Sequence, residues 1–200
     1  MKKIILNTNN TNNNNNNTNN TNNTNNTNNI NKVLNNDNKR EIIKSAVKDI
    51  SLCIFIEECI LNYDKQFEII KNIYNNYNFY EKKFVISELK KKMNSYKSQD
   101  QKKDIHESCN LITINNIIEK LYFSQLKCYY CSCNVCIIFE NIRFKKQWTL
   151  DRLNNLDEHT NENTIIACLE CNLQRRRKNS DKFLFTKKLE TNQIKINKII

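Results

Sequence analysis

The chain has no glycine and no proline, and alanine stands only at positions 46 and 167. Without glycine, every backbone position that needs a positive φ must be filled by a residue carrying a Cβ. Asn and Asp tolerate that conformation best. Asn-Asn pairs are therefore read here as turn signals, where another protein would use Asn-Gly. Glycine, proline and alanine have GC-rich codons while Asn, Lys and Ile have AT-rich ones, so the composition reads as the product of a very AT-rich genome. Long apolar runs are also missing. No stretch approaches the roughly 18 residues of a membrane-spanning helix, so no membrane partner is expected. The opening Met1-Lys2-Lys3 leads into only Ile4, Ile5 and Leu6, too short for the about 7–15 apolar residues of a secretory signal. Residues 7–29 contain nothing but Asn and Thr. With no apolar side chain to bury, such a stretch cannot offset the entropy of ordering, and residues 1–39 are expected to be a disordered tail.

Nine cysteines are present. Without a secretion signal they point to thiols and metal in a reducing, intracellular compartment, and an odd number fits a closed disulfide framework poorly. The net charge of +11 favours an acidic partner, nucleic acid first, although AT-rich coding inflates lysine by itself.

The expected fold class is α+β: the Asn-rich tail, a helical region over 40–126, a zinc-bound domain over 127–180, and a basic tail over 181–200 that has room for one more helix. Four apolar stripes at spacings of three and four carry the helical reading. They are Ile42, Ile43, Ala46, Val47, Ile50, Ile54 and Leu61; then Phe67, Ile70, Ile73, Tyr74 and Tyr77; then Val85, Ile86, Leu89, Met93 and Tyr96; then Ile114, Ile117, Ile118 and Leu121, with Thr113 as N-cap. Residues 98–107 read as a polar loop, with His106 an ordinary surface histidine. Lys90–Lys92, Lys97, Lys102 and Lys103 read as a solvated face, with contact to a phosphate backbone as the alternative. Val135–Phe144 and Gln147–Leu153 are β-branched or aromatic and predict two short strands, with Trp148 packed in the core. Thr164–Ala167 then leads into a helix over about 169–179.

Cys128-Tyr-Tyr-Cys131 and Cys168-Leu-Glu-Cys171 are the strongest local signals. A Cys-x-x-Cys pair lets two thiolates converge on one tetrahedral ion, and two such pairs supply all four ligands of a structural zinc. Cys133 and Cys136 form a further pair of the same spacing and remain rivals to Cys128 and Cys131. Cys53 and Cys59 fall in apolar runs and read as core, and Cys109 lies in the helical part.

Between the pairs and into the following helix the chain reads Trp148-Thr-Leu-Asp151-Arg152-Leu-Asn-Asn, then His159-Thr-Asn-Glu-Asn163, then Cys168-Leu-Glu-Cys171-Asn172-Leu-Gln-Arg175. This resembles the HNH endonucleases, and in particular the HNH-type proteins of AT-rich giant DNA viruses. It covers residues 127–178. The resemblance implies a treble-clef zinc scaffold carrying a ββα-metal site that would bind DNA and hydrolyse phosphodiesters with Mg²⁺ or Mn²⁺, in the host cytoplasm or nucleus if the protein is viral. Carried over by position, Asp151 and Asn172 would bind the catalytic metal and Asn163 would orient a general base. The base belongs at position 152, where this chain has Arg, which keeps its proton and can hold a phosphate but cannot act as a base. His159 is the remaining candidate for base or extra metal ligand. Arg175, Arg176, Arg177 and Lys178 are expected to contact nucleic acid. A catalytically inactive module that only binds nucleic acid is the alternative reading. A RING-like protein-interaction domain is the second alternative, and it would need eight ligands for two ions.

Overall fold

The structure is a computed structural model that describes residues 49–105 and 111–196. The tail, the apolar positions 42–47, His106 and Cys109 lie outside the described residues.

Helix α1 (Ile50–Leu61) starts at Asp49, whose carboxylate accepts the Leu52 N–H at 3.1 Å. Asn62 both ends α1, donating its N–H to Glu58, and caps α2 (Tyr63–Tyr74), its side chain accepting from Asp64 and Lys65. One residue thus makes the corner between two helices. Helix α3 (Lys82–Lys102) follows, then α4 (Ile114–Phe123), where Thr113 caps as expected and forms a reciprocal capping box with Asn116.

The stripe expected for α1 lies on the wrong side. Ile50 and Leu61 are 76% and 86% exposed, while Phe55, Ile56 and Cys59 are buried. The segment ISLCIFIEECIL is apolar nearly all round, so its periodicity has no sharp phase and packing chooses the face. The next two stripes hold in their centres: Ile70, Ile73, Val85, Leu89 and Tyr96 are buried, whereas Tyr74 and Tyr77 are exposed. The polar stretch after Ser98 is not a loop as far as Lys102. It continues α3 because Asp100, one turn past Tyr96, faces inward and is wholly buried.

Val135–Phe144 forms no strand. Its apolar side chains Val135, Ile137, Ile138 and Phe139 are buried, but its backbone pairs only in isolated bridges, and at Ile137–Ile138 it finds a side chain instead of a strand. Gln66 of α2 accepts from the N–H groups of Ile137 and Ile138 at 2.7 and 3.0 Å, and its amide donates to the carbonyls of Ile138 and Cys59. A buried glutamine thereby takes over the role of a ladder. The sheet is instead a hairpin of β1 (Trp148–Arg152) and β2 (Thr164–Cys168), antiparallel, with Trp148 opposite Cys168 and Arg152 opposite Thr164. Helix α5 (Leu169–Arg175) follows directly and stops earlier than expected, because Arg176 turns into the left-handed region at φ 53°. Helix α6 (Ser180–Ile196) occupies the basic tail. Trp148 is buried as expected, and one continuous core joins residues of α1–α4, the hairpin, α5 and Phe183 of α6.

Asn and Asp fill only part of the positive-φ positions. Asn76 and Asp104 do, but Gln125, Leu126, Ser132 and Arg176 do as well. The left-handed conformation costs such residues about 1–2 kcal/mol each. At Leu126, whose side chain is fully buried, packing offsets it.

Candidate functional site

Cys128 and Cys131 sit on a tight turn that needs Ser132 at φ 57°. Ser132 N–H donates to the Cys128 carbonyl and Cys128 N–H to the Cys133 carbonyl, both at 2.9 Å, so the loop curls its thiols to one side. Tyr129 N–H donates to the Ile166 carbonyl, which fastens this knuckle to β2. Cys168 ends β2 and caps α5, its sulfur accepting the Cys171 N–H at 3.3 Å. The four sulfurs of Cys128, Cys131, Cys168 and Cys171 lie within 4.8 Å of one another. Cys131 and Cys168 are 3.9 Å apart. Tetrahedral zinc with Zn–S bonds of about 2.3 Å has an S···S edge of about 3.8 Å, so the donor set fits that ion.

Crowding splits the titration of these thiols. Hydrogen bonds from Cys131, Cys133, Cys168 and Cys171 hold Cys128 far below the ordinary thiol value. The hydrogen bond to Cys128, with others to Cys131 and Cys168, pushes Cys171 far above it. Four thiolates together require a cation at their centre. Of the rival pair, Cys133 shares side-chain hydrogen bonds with Cys128, Cys131 and Cys168, while Cys136 pairs its backbone with Lys146 and Trp148.

Asp151 and Arg175 meet beside this centre. Arg175 Nε donates to Asp151 Oδ2 at 2.6 Å and its Nη2 to Oδ1 at 3.0 Å, while the Tyr130 hydroxyl donates to the same Oδ2 at 2.6 Å. Arg175 also donates to the carbonyls of Lys178 and Arg152 and to Asn155 Oδ1. Its guanidinium has no exposed surface, so the expectation that Arg175 contacts nucleic acid is corrected: the cation is spent inside the fold on Asp151. Both Asp151 oxygens are taken, and a divalent ion there would have to displace a buried guanidinium. The residues at this position do not fit Mg²⁺ or Mn²⁺. Asn172 turns its amide to Thr149 Oγ1 and the Leu150 carbonyl, joining α5 to β1. Asn163 bonds to the backbone of Asn154 and Glu158 and holds the 153–163 loop, with no histidine on its side chain.

His159 does not turn toward Asp151 either. It is buried, its Nδ1 lies 2.7 Å from Asp100 Oδ1, its N–H donates to Asp100 Oδ2 at 2.8 Å, and its ring packs on Tyr96 at 4.8 Å. Burial pulls its pKa below the ordinary 6.5, only partly countered by Asp100. Arg152 points another way from a classical base: 6% exposed, it donates to the Asp157 carbonyl at 2.8 Å and approaches Asp100 at 3.6 Å.

Arg152 forms the floor of a groove of about 830 Å³ whose other cations are Lys103, Arg176, Arg177 and Lys178. Among the described residues no carboxylate lines it. Arg176–Lys178 enter it because α5 has ended, leaving the three exposed on an irregular segment. Burial, with Arg152 and Arg177 nearby and Asp100 opposing, lowers the pKa of the Lys103 ammonium. The neighbouring hollow across Ile105 and Leu156 carries Asp104, Asp157, Glu158 and Glu162, so charge is segregated to opposite sides of one ridge. Asp100 and Tyr130 were invisible as site residues in the sequence: Asp100 lies 59 positions from His159, and Tyr130 is an interior residue of a ligand pair.

Among the described residues no helix is long and apolar enough to cross a membrane. Compared with protein-family models, curated proteins and solved structures, the chain matches none.

Proposed function

We propose that residues 127–180 form a zinc-stabilised, treble-clef HNH-like module that binds nucleic acid, DNA first, without cutting it. The observation that carries this reading is the groove lined by five cations and, among the described residues, by no carboxylate. Zinc at the four cysteines holds the knuckle, the hairpin and α5 together, and the end of α5 releases Arg176, Arg177 and Lys178 to face a phosphate backbone. The order of knuckle, hairpin and helix, with the second ligand pair opening the helix, supports the treble-clef assignment. Binding alone is favoured over hydrolysis because Asp151 is neutralised by Arg175 and position 152 has no base.

Fluorescence anisotropy with a labelled DNA duplex tests the proposal. The affinity should fall linearly in log–log form with salt, by about 0.9 of slope per phosphate neutralised. The variant carrying Arg176→Gln, Arg177→Gln and Lys178→Gln should lose most of that slope while keeping its zinc. Tighter binding of RNA would replace the DNA assignment, and salt-independent binding or none would refute the reading. Plasmid nicking by wild-type protein with Mg²⁺ or Mn²⁺ would restore the hydrolytic alternative.

A further inference from the structure

Residues 82–105 lie outside the stretch that resembles a known family, yet they reach the groove. Helix α3 ends with Lys103 as its last backbone cap, and Asp104 at φ 53° then turns the chain so that Ile105 N–H returns to the Asp100 carbonyl at 3.2 Å. This closure sets Lys103 and Ile105 in the groove lining. One turn earlier, the Asp100 carboxylate is the wholly buried counter-charge on which two elements of the zinc module converge. Arg152 approaches it from the end of β1 at 3.6 Å, and His159 meets it from the loop with both its backbone N–H and its ring. Arg152 in turn donates to the Asp157 carbonyl of that same loop. The guanidinium is therefore held between a carboxylate behind it and a loop beside it, and it keeps a place in the groove floor.

We infer that the helical region completes the nucleic-acid groove: Lys103 is a phosphate contact on its rim, and Asp100 is the positioning residue that fixes Arg152 in its floor. The inference rests on the binding function proposed above. A charge argument makes it sharp. Asp100 is an anion beside an anion-binding groove, so as a bystander its removal would strengthen binding. As the residue that places Arg152, its removal weakens binding, because an unheld guanidinium gives up its phosphate. The grip on Arg152 also makes Asp100 and Arg152 one functional unit, whereas Lys103 acts on its own.

The test is the salt dependence of duplex binding by the full chain with zinc bound, for Lys103→Gln, Asp100→Asn, Arg152→Gln and the Asp100→Asn/Arg152→Gln double variant. Each single variant should lose about 0.9 of slope and bind about tenfold more weakly near 0.1 M salt. The double variant should lose no more than Arg152→Gln alone, whereas a further variant adding Lys103→Gln should lose another step. Zinc content and the thermal midpoint confirm that each variant is folded. If wild-type protein shows no salt-dependent binding, the proposed function falls and this inference with it. If wild type binds but Asp100→Asn leaves the slope unchanged, tightens binding, or adds to Arg152→Gln, the positioning role of Asp100 is overturned. Should Asp100→Asn fail to fold, Lys103→Gln decides, since an unchanged slope there removes α3 from the groove.

Discussion

Replacing Asp151 by Ala removes the carboxylate bonded to Arg175, whose guanidinium has no solvent access. Three hydrogen bonds disappear together, two of them from the guanidinium and one from the Tyr130 hydroxyl. Arg175 retains bonds to the Arg152 and Lys178 carbonyls and to Asn155, but no opposite charge. Breaking one side of a buried ion pair costs about 3–5 kcal/mol, most of it the penalty of an uncompensated buried charge. That is a large share of the stability of a domain this size, so partial unfolding near room temperature is the expected consequence. Replacing both partners, Asp151→Leu with Arg175→Met, removes the stranded charge and should recover much of the loss. Urea unfolding of the zinc-bound protein, with both single variants and the double, gives the coupling energy of the cycle. A loss below about 1 kcal/mol for Asp151→Ala, or strictly additive singles, would refute the buried-pair reasoning. The same arithmetic bears on function: loss of any nucleolytic signal in Asp151→Ala reports a broken core before it reports a missing metal ligand.

Removing zinc bound at the four cysteines with a chelator should unfold the knuckle and hairpin, and Trp148 provides the signal. It is the only tryptophan, is 1% exposed and pairs across the sheet with Cys168, so its fluorescence should shift to the red on metal removal and return on re-addition. Ser replacements at Cys128, Cys131, Cys168 or Cys171 should abolish stoichiometric zinc, while Cys136→Ser should retain it; loss of zinc in Cys136→Ser would overturn the ligand assignment. His159 makes stability depend on pH. Its folded pKa lies below the unfolded 6.5, so between the two values the unfolded chain binds more protons. The contribution is complete above pH about 6.5 and is lost as pH falls toward the folded value, at up to about 1.4 kcal/mol per pH unit. His159→Gln should flatten that slope in urea titrations from pH 7.5 to 5; an unchanged slope would place the protonating group elsewhere.

The cysteine cluster was legible because spacing alone constrains it: two residues between thiols is a local geometry, and the structure brings together the favoured four. The helix caps at Thr113 and the amphipathic centres of α2–α4 were legible for the same reason. What failed in each case depended on a distant partner. Val135–Phe144 has the composition of a strand, but Gln66, about seventy positions earlier, takes the Ile137 and Ile138 N–H groups at its centre. The α1 stripe had no phase until the neighbouring helices selected Phe55, Ile56 and Cys59. Arg175 sits in a run of four cations that look equivalent in sequence. The end of α5 turns Arg176, Arg177 and Lys178 outward, and Asp151 draws Arg175 inward.

By itself, then, the sequence determined two Cys-x-x-Cys pairs able to supply four metal-binding thiols, and an excess of positive charge, because these are properties of residue type and local spacing. Tertiary structure decided which charges are available. It buried Asp151 against Arg175, turned His159 to Asp100, and gathered Lys103, Arg152, Arg176, Arg177 and Lys178 around one groove. A charge in a folded protein acts only where burial and its counter-ion leave it free, and both are set by residues far away along the chain.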